Sequence, residues 1–230
     1  MKKLLTVLTL VLALAPLAAH ADSVSVSSMG TYYRTGAINT NASPVYPHIS
    51  GSFYIGQIAI RWDNQTYLGY CVDLFSDFHL GDSWTVTPRN MSDLPIGGPD
   101  ASAFNPPYAM ANSGAHAAWI ANTYAPTVDS GDDAAALQLA VWLTIFPNLN
   151  TSWFDFGTSS AGIRSQAWAW YNEGVNQTSD AIWLDAQNQT RSQDFVIPQA
   201  VPEPASMVLL GGGLLGLAGV LRRRLDRQRQ

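Results

Sequence analysis

The chain has 230 residues, a formal net charge of −5 and 47% hydrophobic residues, enough apolar sequence for a buried core. Between residues 22 and 200 the balance is more acidic, about −10, with 15 Asp and Glu against five arginines (Arg34, Arg61, Arg89, Arg164, Arg191) and no lysine. Such a surface has no basic stripe to neutralise phosphates, which excludes nucleic acid as a partner, and a single cysteine, Cys71, excludes an intramolecular disulfide framework.

The chain opens with Lys2 and Lys3, an apolar run from Leu4 to about Leu17, and Ala19-His20-Ala21, small residues where signal peptidase reads. Residues 1–21 are therefore expected to be a signal peptide, removed by signal peptidase before Asp22. Export sharpens the anomaly of Cys71. Exported cysteines normally pair, and this one has no partner within the chain. It is an inert buried thiol, half of an intermolecular disulfide, or one end of another bond.

Val24 and Val26 alternate with serines over 23–27 and predict a strand. Residues 31–47 hold Gly36, Pro44 and Pro47 among polar residues and read as loop. Residues 51–73 form the strongest β region. The runs 52–60 and Arg61-Trp62, turn residues Asp63-Asn64-Gln65 and a return over 66–72 predict a hairpin. On the return, Tyr67, Gly69, Cys71 and Asp73 share one face, and Leu68, Tyr70 and Val72 the other. Gly69 beside Cys71 leaves space there for another element or a bound chain. Residues 74–83 read as irregular, 84–87 as a short strand, and 88–107 as a loop rich in Gly, Pro and Asp.

The pattern then turns helical. Helices are predicted over 111–124, 132–146, 160–171 and 179–186, with a closing strand over 194–197. The second is the strongest. Asp129-Ser130-Gly131-Asp132-Asp133 supplies cap acceptors and negative charge at the positive end of the helix dipole, and Pro147 stops it. These aspartates lack the order of a calcium loop. His48, His79 and His116 stand apart, so no metal is expected and no cofactor is implied. The Asn-x-Ser/Thr sites at Asn41, Asn64, Asn90, Asn150, Asn176 and Asn188 read as polar loop composition. No Gly-x-Ser-x-Gly elbow supports serine hydrolase chemistry. Strands first and helices after predict an α+β fold, a β-sandwich or barrel-like strand region followed by a helical subdomain.

The helix 132–146 is apolar almost all round, which marks it as buried. Gln138 is the polar residue in its middle, on the face of Ala134, Ala135, Val141 and Trp142. A buried glutamine without partners costs about 1–3 kcal/mol, so spacing alone favours a structural glutamine bonded to loop backbone.

At the C-terminus, Val201-Pro202-Glu203-Pro204-Ala205-Ser206 precedes an apolar run to Leu221 and then Arg222-Arg223-Arg224, with Arg227 and Arg229 beyond. Residues 205–221 are at the short end of a membrane-spanning helix, with the arginines cytoplasmic. The order of these parts closely resembles the PEP-CTERM sorting signal of Gram-negative bacteria. That resemblance implies recognition by an exosortase-type sorting enzyme, cleavage near Pro202, Glu203 and Pro204, transient membrane attachment through the C-terminal transmembrane sorting helix, and delivery across the inner membrane to the outer surface or extracellular matrix. It divides the chain into a signal peptide (1–21), an ectodomain (22–200) and a sorting signal (201–230).

Tyr70-Cys71-Val72 late in a hairpin, followed by a helix with Leu137-Gln138-Leu139-Ala140 and Trp142, is similar to the thioester domain of bacterial surface adhesins. The stretch from Ala118 to Pro126 resembles the helix that precedes the glutamine helix in that family. Leu137 stands where the family usually has threonine, and the familiar members are anchored to Gram-positive walls. The resemblance implies that Cys71 and Gln138 form an internal thioester with loss of ammonia, and that an amine or hydroxyl on a surface protein or glycan then displaces the sulfur. The expected function is covalent attachment, used once, by a protein that is not a turnover enzyme. The absence of lysine between 22 and 200 then has a reading beyond composition: such a domain offers no side-chain amine to its own thioester. The alternative function is a non-covalent matrix or polysaccharide-binding module using Trp153, Trp168, Trp170 and Trp183.

Overall fold

The computed structural model describes residues 22–43, 46–94, 112–146, 148–186 and 192–199. The expected signal peptide (1–21), the Pro202-Glu203-Pro204 motif, the expected membrane span over 205–221 and the arginine tail lie outside the described residues. Two compact units divide the chain, Met1–Pro198 and Gln199–Gln230. Among the described residues no helix is long and apolar enough to cross a membrane.

The described residues form an α+β fold of seven strands and three α-helices. The strands are β1 (Asp22–Asn39), β2 (Ser50–Trp62), β3 (Gln65–Cys71), β4 (Ser83–Asn90), β5 (Phe154–Asp155), β6 (Ile182–Asp185) and β7 (Phe195–Ile197). The helices are α1 (Ser113–Tyr124), α2 (Gly131–Ile145) and α3 (Ser160–Gly174). The sheet order is β2-β3-β7-β6-β4-β1-β5, and a further β1–β2 pairing closes the first six strands into a barrel-like ring. Every pairing is antiparallel.

The ring encloses its own core. Val24 and Val26, Ile58 and Ile60, Trp84 and Val86, Leu184, and Phe195 and Ile197 form one apolar cluster, with Tyr67 and Cys71 packed against it. Their spacing of two along each strand is what an inward face requires. The helices are covered by a second cluster built on the opposite strand faces.

The β2–β3 hairpin forms as predicted. Asp63 and Asn64 both have positive φ, 48° and 58°, as the two-residue I′ turn requires. Three predicted assignments are corrected. Residues 31–39, read as loop, continue β1. Register shifts between Val26 and Ser28 and between Met29 and Tyr33 bend this strand, so that its first half joins the ring while its second half pairs with the start of β2 and with β5. Residues 182–185, read as helix, form β6, because β4 lies on one side and β7 on the other. Pro88, Arg89 and Asn90, read as loop, extend β4 opposite β6.

The helices also do not follow the strands as a separate subdomain. They are inserted between β4 and the β6–β7 pair that closes the ring. The buried α2 packs against α1 and α3 on its flanks and against β1 and β2. Its start is capped as expected. Ser130 accepts from the Asp133 N–H at 3.1 Å, and Asp132 pairs with Arg34 of β1. All residues from Ala134 to Ile145 are buried.

Candidate functional site

The site begins where two strands part. β3 pairs with β2 from Gln65 opposite Trp62 to Gly69 opposite Ile58. Continued by one more pair on this face, the ladder would set Cys71 opposite Gly56. It does not, because β2 turns away there. Gly56 has φ +132°, and a Cβ on it would meet Tyr33 Cα at 3.0 Å and Ala134 Cβ at 3.1 Å. Helix α2 enters the gap with the face that carries Ala134 and Gln138.

Gln138 takes the place of the missing strand. The Cys71 N–H donates to Gln138 Oε1 at 2.8 Å, and Gln138 Nε2 donates to the Cys71 carbonyl at 2.7 Å. The carboxamide thus makes the two-point bond that a β residue would have made. The other edge of β3 is held by β7, with Cys71 opposite Phe195 and the Val72 N–H on the Asp194 carbonyl at 2.9 Å. The two residues singled out in the sequence, 67 positions apart, are brought together, and the buried glutamine is satisfied by strand rather than loop backbone. The Gln138 amide carbon is one bond from an oxygen held on the cysteine's own N–H.

Tyr70, Val141 and Trp142 are buried around this contact, and Trp142 stacks on Phe154 with ring centres 5.7 Å apart. Cys71 is half-buried and lines a cavity of about 320 Å³ with Asp73, Ser76, Asp77, His79, Gln193 and Trp142. Its apolar wall includes Ile38, Ile49 and Phe53, and Tyr54 and Leu80, both largely exposed, line it as well.

The electrostatics around the sulfur are one-sided. Burial, followed by the charges of Asp73 and Asp194, pushes the Cys71 thiol well above its ordinary range. This favours the protonated thiol over the thiolate. Asp73 is buried and oriented by the Phe75 N–H at 2.8 Å and by the Ser76 hydroxyl. Its carbonyl accepts from Gln193 Nε2 at 2.5 Å. Asp194 is buried too, accepting from Trp183 Nε1 at 2.7 Å and from the Ala186 N–H at 2.9 Å. Burial chiefly, with Asp185 and Asp73 adding repulsion, raises its carboxyl to about 7 against these two donors.

Asp73 stood in the sequence beside Cys71 without an assigned role. Asp194 and Gln193 carried no signal of their own, since only the β3–β7 pairing brings them here. The remaining candidates are scattered. His48 and His79 are exposed and His116 is buried on α1. Of the four tryptophans considered as sugar platforms, Trp170 and Trp183 are buried, Trp153 is half-buried and Trp168 is exposed, edge-on to Tyr171.

Residues 200–224 match the family described as the PEP-CTERM protein-sorting motif. The chain thus carries the sorting signal of an exported, envelope-directed protein. No curated protein matches the sequence. Among solved structures, the chain is similar to the N-terminal thioester domain of the fibronectin-binding protein SfbI from Streptococcus pyogenes. The two are 12% identical with a TM-score of 0.42 over 82% of this chain and 97% of that one.

Proposed function

We propose that the protein is an exported binder, sorted to the envelope by an exosortase-type enzyme, that stores an activated acyl group between Cys71 and Gln138 and spends it once on an amine- or hydroxyl-bearing surface partner. The supporting observation is the reciprocal hydrogen bonding of the Gln138 carboxamide to the Cys71 backbone.

An amide is a poor acyl donor, so the fold has to supply both proximity and polarisation. Holding the amide against the cysteine turns a bimolecular step into an internal one. The Cys71 N–H already lies on Oε1, the atom that gathers negative charge as sulfur adds to the carbon. Sulfur bonds to the amide carbon, the bond to Nε2 breaks, and ammonia leaves. The thioester has a better leaving group than the amide it replaces, and the buried Tyr70, Val141 and Trp142 keep water away from it. An incoming amine or hydroxyl then takes the acyl group of Gln138 and releases Cys71 as a thiol. The product bond is permanent, so the protein is an adhesive or matrix-associating reagent and not a turnover enzyme.

A glutamine that only completed the β3 edge would leave the mass unchanged. Intact mass of the purified protein separates the two. The expected wild-type mass is one ammonia below that of the polypeptide, with the deficit absent from Cys71→Ala and from Gln138→Ala. A full-mass wild type with a titratable thiol refutes the reading.

A further inference from the structure

Both proposed steps move a proton at a sulfur that has no room for charge. Forming the thioester removes the thiol proton, and opening it must return one. On the Gln138 side the site is closed to water by buried apolar residues. The open side is the cavity, and the charges of two acidic residues, Asp73 and Asp194, bear on the sulfur. Asp194 precedes Phe195, the residue directly opposite Cys71, so alternation turns its side chain to the other face, where Trp183 and Ala186 hold it. Asp73 follows Cys71 by two residues, just past the end of β3, and lines the same cavity. Two contacts orient its carboxylate. His79, also at the cavity, is exposed and lies beside Asp82 at 3.7 Å.

We propose that Asp73 is the proton carrier for acyl transfer at Cys71, an inference that rests on the thioester reading of the site. In the first step the Asp73 carboxylate accepts the thiol proton as sulfur bonds to the Gln138 amide carbon. The carboxyl then gives that proton to Nε2 as the carbon–nitrogen bond breaks, and ammonia departs. In the second step a primary amine, as its free base, adds to the same carbon and loses a proton to Asp73. The carbon–sulfur bond breaks, and the proton passes to sulfur. Asp73 ends each step as it began, and the sulfur never bears a full negative charge beside two carboxylates. The upward push on the thiol from burial and from Asp73 and Asp194 agrees with this requirement.

The test follows, in wild type, Asp73→Asn and Asp73→Ala, first the rate of ammonia loss and then aminolysis of the loaded fraction by methylamine, each read by intact mass. General acid–base catalysis predicts a loss of roughly 100-fold or more in both variants, partly restored in Asp73→Ala by added formate, which a purely structural aspartate would not show. A loaded Asp73→Asn protein that reacts at the wild-type rate overturns the role of Asp73 and leaves the thioester standing. A wild type at full mass overturns the thioester and this inference together. If both variants fail to fold, the wild type alone decides. Its aminolysis slows in deuterium oxide if a proton is in flight at the sulfur, and equal rates in the two solvents overturn the proposal.

Discussion

At the scale of single residues, the chemistry near Cys71 is set by what burial does to acids. Asp194 sits in the fold with its carboxyl raised from 3.8 to about 7. The folded protein therefore holds a proton that the unfolded chain has released between those two values. The sign follows. Stability from this group is highest below pH 4, falls as pH rises toward 7, and is level above it. At about 1.4 kcal/mol per pH unit, the change across the window is roughly 4 kcal/mol. Asp194→Asn should flatten that part of the profile. Denaturant unfolding of both proteins at pH 5 and pH 7.5 checks it, and a wild type more stable at pH 7.5 relative to the variant would contradict the sign. Asp132 and Asp155 are shifted the other way, by Arg34 and by Ser160 respectively, so their contributions are lost below this window.

At the scale of elements, the site exists because two strands separate and a helix fills the gap. Gly56 makes the separation possible. Gly56→Ala puts a methyl group 3.1 Å from Ala134 Cβ at a φ of +132° that side chains rarely adopt. The expected cost is about 1–3 kcal/mol of stability, and the shift of α2 that relieves it draws Gln138 off the Cys71 backbone. Calorimetry reads the first effect and intact mass the second; a variant with unchanged melting and an unchanged ammonia deficit would show that Gly56 plays no such part. The elements most legible in the sequence were those specified locally. The β2–β3 hairpin has its turn residues at Asp63 and Asn64, and α2 has its cap at Ser130. β6 was misread because Ala181, Leu184 and Ala186 suit a helix, and its state comes from β4 and β7 on either side. The second half of β1 was misread because Gly36 and the following prolines suggested a loop. The strand signal of Thr31, Tyr32, Tyr33 and Thr35 was present, and Gly36 is there to clear the Phe156 ring, which a Cβ would meet at 2.7 Å.

At the scale of the whole molecule, the ring closes late. β6 and β7 come from the last described segments and join β4 to β3, so the edge that carries Cys71 is completed only after the helices have been made. A chain ending after residue 199 should keep the wild-type melting transition, because the first compact unit reaches Pro198. A chain ending after residue 180 leaves β3 and β4 with open edges and exposes Trp84, Ile58 and Ile60 of the ring core. It is expected to aggregate and to show no ammonia loss. Cooperative unfolding of that shorter chain, followed by circular dichroism, would count against a ring that needs its last two strands.

The sequence by itself determined the C-terminal sorting motif, the acidic and lysine-free middle, the hairpin, the capped buried helix and the two residues whose placement needed a reason, Cys71 and Gln138. Each of these rests on local chemistry: a charge pattern, a turn type, a cap, a period of hydrophobicity. Only the tertiary structure decided that the strands close into a ring with the helices inserted in it, that the glutamine stands in for a departing strand, and that Asp73 lines the cavity of Cys71 while Asp194 is held by Trp183 and Ala186. Those outcomes depend on pairings between residues dozens of positions apart. Long-range register is settled by which surfaces bury one another, and no stretch of sequence carries that information alone.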